Sequence, residues 1–337
     1  MTSCLPEKLV IFDYSGTLSL EAPRFARPEN LLSALAESGL AKLGVATPET
    51  FWGEIVGPTW TAGSTTKIGY KRVMAQRIEA LGLAPGAAGA EIAAASSRFV
   101  DLYLNHSRID PLWRPTLEKL AGHPGVFVVI ATDHYAEATE AIVRHLGSWE
   151  ILAQKADRWA ESSAHTGDGS GTPLGPGRGN GGAKSVMPQG SREVSSHFAG
   201  KGETTPTSSV KTRELAPFFI ANSADIGFWK TDRRFWETVR LQLAITATRS
   251  VLIIDDFGFN EEQGDSYGER ARVEARRKET AASLQEIFQA SLAAIPFFLK
   301  RGERDRKEAT AQRIAETVRR IDRFLLPDDL NRPTSFQ

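Results

Sequence analysis

A chain of 337 residues with 41% apolar side chains can bury one large α/β domain and an accessory module. Its 41 basic and 41 acidic residues cancel, which argues against nucleic acid or an anionic membrane as partner, and no apolar run approaches the roughly 18 residues of a membrane span. The single cysteine, Cys4, excludes an intrachain disulfide framework, and Met1–Lys8 leads straight into an apolar run, so a cytoplasmic protein without a signal peptide is expected.

In chain order, Leu9–Phe12 is the first buried-strand candidate, ended by a polar turn from Asp13 to Thr17. Helical spacing follows over Leu31–Leu43, Ile68–Leu81 and Ile92–Leu104, which predicts a helical module inserted after the first strand. Within it, Gly57–Gly63 contains Pro58 and reads as a loop. Val126–Ala131 is a second strand, followed by Thr132, Asp133 and His134, with a helix expected over Tyr135–Leu146. Residues 160–215 turn to Gly, Ser, Thr and Pro, with too few large apolar side chains to offset ordering, and are expected to be disordered. Inside that stretch Gly177–Ser185 imitates a phosphate loop, but Ala183 stands where the motif needs glycine and no strand precedes it.

Pro217–Ile220 is the third strand and Val251–Ile254 the fourth, ending in Asp255 and Asp256. Ile295–Leu299 suggests a last strand, at an edge because of Pro296. Residues 303–326 carry Ala311, Ile314, Val318, Ile321 and Leu325 at helical spacing and are expected to pack on the sheet. Continuous apolar runs alternating with helices predict an α/β fold: a Rossmann-like parallel sheet covered by helices. Residues 1–20 and 110–330 then form the core domain, and 21–109 the helical insertion.

Chemistry collects at strand ends. Ligands of open parallel sheets bind outside the carboxyl ends of their strands, and Asp13, Thr132 and the Asp255–Asp256 pair all follow buried runs. One such carboxylate alone is more often a turn or helix cap. Several together repel unless a hard cation such as Mg²⁺ sits among them.

These residues also carry a resemblance. The run Leu9-Val10-Ile11-Phe12-Asp13-Tyr14-Ser15-Gly16-Thr17 is similar to the first motif of the haloacid dehalogenase (HAD) superfamily, an apolar strand and then Asp-x-Asp-Gly-Thr. Thr132 resembles its second motif. Lys230-Thr231-Asp232-Arg233-Arg234-Phe235 resembles its Lys-Pro-Asp-Pro-x-x-Phe pattern, and Asp255-Asp256 its paired acids, all in the family's order. The resemblance implies a Mg²⁺-dependent phosphohydrolase of small phosphorylated metabolites, with residues 21–109 as a substrate-selecting cap. Asp13 would be the nucleophile that forms an aspartyl-phosphate. Thr132, Asp133 and Lys230 would hold the substrate, and Asp13, the Ser15 carbonyl, Asp255 and Asp256 would hold the metal.

Ser15 departs from the pattern, because phosphatases of the family often place a general acid–base aspartate there. A hydroxyl at that position predicts slow dephosphorylation and a preference for aryl or acyl leaving groups. Other family chemistry stays open: phosphonate cleavage with Lys67 or Lys71 as a Schiff base, phosphoryl transfer, or a weakly active binding protein. In the insertion, Trp52, Trp60, Lys67, Tyr70, Lys71 and Arg72 are candidates to face an anionic, partly apolar leaving group. His134 reads as a cap or surface histidine.

Overall fold

The computed structural model describes residues 6–156, 218–261, 269–300 and 306–327. Cys4, Pro217, the 160–215 stretch and the Gly177–Ser185 loop lie outside the described residues.

Among the described residues, six parallel strands form one sheet in the order β3-β4-β2-β1-β5-β6. They are β1 (Lys8–Asp13), β2 (Val126–Thr132), β3 (Ala153–Lys155), β4 (Phe218–Asn222), β5 (Ser250–Asp255) and β6 (Ser291–Pro296). Side chains alternate across a strand, so a parallel sheet buries both faces. Accordingly Val10 and Phe12 of β1 join one apolar cluster with Trp113, Leu117, Ile142 and Ile314, while Leu9 and Ile11 join another with Phe235, Trp236, Val239 and Leu284. On the first face lie the helices Arg114–Ala121, Glu137–Gly147 and Lys307–Leu325, and on the second Arg233–Gln242 and Arg270–Phe288. The expected C-terminal helix thus packs on the sheet through Ile314 and Ile321.

The last strand runs earlier than its apolar run suggests. It starts at Ser291 and ends at Pro296, which sits at the last register position of an edge strand paired only with β5. Phe297 and Leu299 are buried beyond it as core side chains. β3, with the sequence Ala-Gln-Lys, has no apolar run to announce it. It exists because β4 offers it a row of backbone partners.

Between β1 and β2 the chain forms the helices Glu21–Phe25, Pro28–Ser38, Gly57–Ser64, Tyr70–Leu81 and Gly89–His106, with a π-helical stretch over Thr50–Val56. Gly57–Gly63 is therefore helix and not the loop its Gly and Pro content suggests. Proline lacks the N–H a helix interior needs. Here the turn ahead of Pro58 widens to π geometry, Gly57 N donating to Trp52 O, and Arg77 Nε donates to the Glu54 carbonyl at 2.7 Å.

The insertion's apolar cluster is not closed on itself. Phe51, Met74, Ile78 and Phe99 pack together with Tyr135, Ala138 and Ala141 from the sheet's own side. Its two connections to the sheet are stitched to each other: Asp110 N donates to Leu18 O at 2.8 Å, Trp113 Nε1 to Thr17 O at 3.0 Å, and Tyr14 Oη to Ser107 O. The Glu137 carboxylate accepts from Tyr70 N (2.9 Å) and Lys71 N (3.1 Å), capping the start of the Tyr70–Leu81 helix from outside the insertion.

Candidate active site

The carboxyl ends of β1, β2 and β5 open into one cleft of about 1140 Å³, bordered by Asp13, Ser15, Thr132, Asp133, Lys230, Asp255 and Asp256. The sheet order decides this convergence, because β1 lies between β2 and β5 and all three point the same way.

The β5 exit fixes its two acids by backbone bonds. Asp255 Oδ1 accepts from Phe257 N at 2.6 Å, and Asp256 accepts from Gly258 N at 3.0 Å and Asn260 N at 2.7 Å. Thr17 Oγ1 accepts from Asp256 N at 3.1 Å, tying the β1 turn to the β5 turn. Gly16 is at φ +76°, and a Cβ there would stand 2.5 Å from Asp256 Oδ2, so both backbone and space require glycine. Phe257 holds φ +53° without being glycine, and Arg276 steadies it by donating from Nε (3.0 Å) and Nη2 (2.8 Å) to its carbonyl.

Lys230 reaches in from the turn that follows β4 and the short helix Ser223–Ile226. Its Nζ donates to Asp13 Oδ1 at 2.5 Å and to Asp255 Oδ2 at 2.9 Å. Asp133 Oδ1 accepts from Lys230 N at 2.8 Å, and Trp236 Nε1 donates to Lys230 O at 2.7 Å, so this lysine is held on both sides of its peptide. Asp133, expected to bind substrate, thus uses one oxygen to position Lys230. Asp232 caps the next helix by accepting from Arg234 N, and Phe235 is buried beneath it. That is the physical content of the Lys-x-Asp-x-x-Phe spacing. Thr132 is buried at the end of β2, and the following helix starts only at Glu137 with Ala136 as a capless N-terminus. Thr132 therefore is not a helix cap.

Burial holds the Asp13 carboxyl well above its ordinary range, with Asp255 and Asp256 adding to the rise and Lys230 opposing it. Burial, then Glu261 and Asp255, push Asp256 up to about 8. One oxygen from each of Asp13, Asp255 and Asp256 lies within 4.8 Å of the others, and Asp13 Oδ2 is buried with no hydrogen-bond partner. A charge-dense, under-neutralised set of hard oxygens with an orphaned acceptor fits a divalent cation such as Mg²⁺.

Three contributors have no signal in the sequence. Glu261 Oε1 accepts from Ser15 Oγ at 3.2 Å, placing a carboxylate one hydrogen bond from the position that lacks one. Asn260 Nδ2 donates to Gly16 O (2.7 Å) and Phe297 O (2.8 Å), while its Oδ1 accepts from Leu299 N (2.9 Å). Tyr103, from the insertion, pairs its hydroxyl with His134 Nε2 at 2.8 Å.

His134 is not on the surface. It is buried against the cleft, and burial depresses it to about 3, so the ring is neutral. Tyr135 N donates to Nδ1 at 3.0 Å, which puts the ring proton on Nε2, facing Tyr103 Oη. Among the candidate leaving-group contacts, Trp52, Trp60 and Tyr70 border the cleft, whereas Lys67, Lys71 and Arg72 do not. Lys67 and Arg72 are exposed, and Lys71 pairs with Asp101 at 2.6 Å, so no insertion lysine stands ready for a Schiff base.

No family model and no curated protein matches this chain. Among solved structures it is similar to a 2-haloacid dehalogenase from Pseudomonas syringae pv. Tomato DC3000, with 16% identity and a TM-score of 0.40 over 80% of this chain and 83% of that one. A likeness that loose carries no argument about activity. No described helix is long and apolar enough to cross a membrane.

Proposed function

We propose that this chain is a Mg²⁺-dependent phosphohydrolase of the HAD type that acts on a small phosphorylated molecule through an aspartyl-phosphate on Asp13. The observation that carries this reading is the meeting of Asp13, Asp255 and Asp256 around one point, with Lys230 bridging two of them and Asp13 Oδ2 unpartnered. Asp13, the Ser15 carbonyl, Asp255 and Asp256 would hold the ion, which when bound neutralises charge on the transferring phosphoryl group.

In this reading an Asp13 oxygen attacks phosphorus, and the bond from phosphorus to the leaving oxygen breaks. Lys230 and Thr132 hold the phosphoryl oxygens, where negative charge must be stabilised in the transition state. The departing oxygen needs a proton, and water must later lose one as it attacks the aspartyl-phosphate to regenerate Asp13 and release phosphate. Ser15 cannot do this as a carboxylic acid would. Glu261, hydrogen-bonded to Ser15 Oγ, takes that role, so the slow second step expected from Ser15 alone no longer follows. The helical insertion acts as the cap, docked over the site by the Glu137 carboxylate.

The test is phosphate release from a set of phosphate esters with Mg²⁺, with chelator, and with Asp13→Asn. Turnover should require both the metal and Asp13, and acid quenching should trap phosphate covalently on the protein. Mg²⁺ should also raise the melting temperature of the wild type but not of Asp255→Asn. Full activity in chelator, or in Asp13→Asn, would reject the proposal.

A further inference from the structure

The cleft is larger than a phosphoryl group requires, and the excess is aromatic. Its roughly 1140 Å³ is the size of a site for a drug-sized ligand. The wall includes Phe25, Phe51, Trp52, Trp60, Tyr103 and Tyr135, beside aliphatic side chains such as Leu31 and Val56. Phe51 meets Trp52 edge to face at 5.0 Å and packs on Phe99 at 4.9 Å, so Trp52 is backed by a fixed partner. Trp52 itself is 40% exposed, unusual for a side chain of its size, and it borders the cleft.

Gly53 and Gly57 also border the cleft, and a Cβ added at Gly53 would meet no atom within 4 Å. The wall is also charged: Arg272 and Arg276 border the cleft, Arg276 donating twice to the Phe257 carbonyl and Arg272 facing Glu269 at 3.3 Å, and Glu49 adds a negative charge.

From this we infer that the substrate is a bulky aryl phosphate, whose flat fused-ring leaving group lies against Trp52 over Gly53 while its phosphate sits at Asp13. The inference rests on the phosphohydrolase reading above and narrows its substrate class. Aromatic faces prefer offset or edge-on neighbours, and an extended ring gains contact area here that a single ring or an aliphatic chain does not.

The experiment compares 2-naphthyl phosphate with phenyl phosphate, two phenolic leaving groups of similar acidity, so their ratio reports the chamber and not proton supply. Wild type should prefer the naphthyl ester at least tenfold in kcat/KM, mainly through KM. Gly53→Leu, which fills the open space, and Trp52→Ala, which removes the platform, should each cut that ratio at least fivefold. Should Gly53→Leu fail to fold, Trp52→Ala carries the comparison. Calorimetric binding of the non-hydrolysable naphthylmethylphosphonate, in wild type and both variants, reads the chamber without turnover. Lack of turnover on every ester, with binding that both variants weaken, would sink the phosphohydrolase reading and keep the aromatic site. A wild-type preference at or below one, a ratio that neither variant moves, or no phosphonate binding would overturn the inference.

Discussion

At the floor of the cleft, Asp255 and Asp256 leave β5 directly into backbone hydrogen bonds, and Lys230 is gripped through its N–H and its carbonyl. Trp52, in the widened π turn before Pro58, and Trp60, in the helix that follows, border the same cleft. The floor gathers carboxyls that burial first, and then their neighbours' charges, raise at Asp13 and Asp256, and hydrogen bonds hold it in place. The roof gathers side chains that stabilise the fold simply by being apolar. Neutralising an acid in the floor should therefore lower activity without lowering stability, while substitutions in the roof should alter substrate choice at little cost to stability.

The widest separation is expected at Asp13. Asp13→Asn should lower phosphate release by about 10⁴-fold or more. In chelator its melting temperature should equal or exceed wild type, because one of three crowded buried carboxylates becomes neutral. A clear fall in melting temperature would show that the acidic floor is not under repulsion.

Lys230 should behave in the reverse sense. Lys230→Met leaves Asp13 and Asp255 without their cation, and breaking a buried pair from one side costs about 3–5 kcal/mol. Denaturant titration in the absence of metal would measure the loss, and Mg²⁺ should restore part of it.

Glu261→Gln tests whether proton supply reaches Ser15 from the next loop. Turnover should fall by roughly 10²-fold, at the low end of general acid–base effects, with less change in KM than in kcat. Ser15→Ala should cost less. Equal activity of Glu261→Gln and wild type would remove Glu261 from the mechanism.

The pH should also move stability. Burial lowers His134 to about 3, below its unfolded value near 6.5, so between those limits the unfolded chain holds the extra proton. Stability from this ring is complete above about 6.5 and is lost as pH falls, by up to about 1.4 kcal/mol per pH unit. The raised Asp256 acts in the opposite direction, favouring the folded state as pH falls below about 8. The difference between wild type and His134→Gln, followed from pH 7 to 4, isolates the histidine. The variant should lose less stability over that range.

The least effect belongs to the roof. Trp52→Ala should change folding stability by no more than about 1 kcal/mol, since much of the ring is already in contact with water. Thermal melting of the variant checks this, and a drop of several kcal/mol would mean that Trp52 is core and not wall.

What could be read from the sequence follows from the reach of each signal. Asp13, Thr132, Asp255 and Asp256 were legible because each ends a short apolar run, and a buried strand imposes its pattern on neighbouring residues. Lys230 was legible only through its resemblance to a family motif, whose Asp232 and Phe235 prove to start a helix at fixed offsets from it. Signals of the same local kind misread Gly57–Gly63, where glycine and proline mark a break unless a π turn and Arg77 accommodate them. They also missed β3, whose three residues become a strand only because β4 supplies backbone partners.

Glu261, Asn260, Tyr103 and the placement of His134 depend on distant segments meeting. Ser15 and Glu261 are brought together by the adjacency of β1 and β5, and Tyr103 reaches His134 only once the insertion has folded back over β2. The sequence by itself determined the four central strands, the order of the motifs and the acids at the strand ends, because backbone periodicity is a property of neighbours. Tertiary packing alone decided that Ser15 has a carboxylate beside it and that the cleft is walled by aromatic rings. Contacts between residues far apart in the chain depend on how the faces of different elements pack, and no short stretch of sequence specifies that.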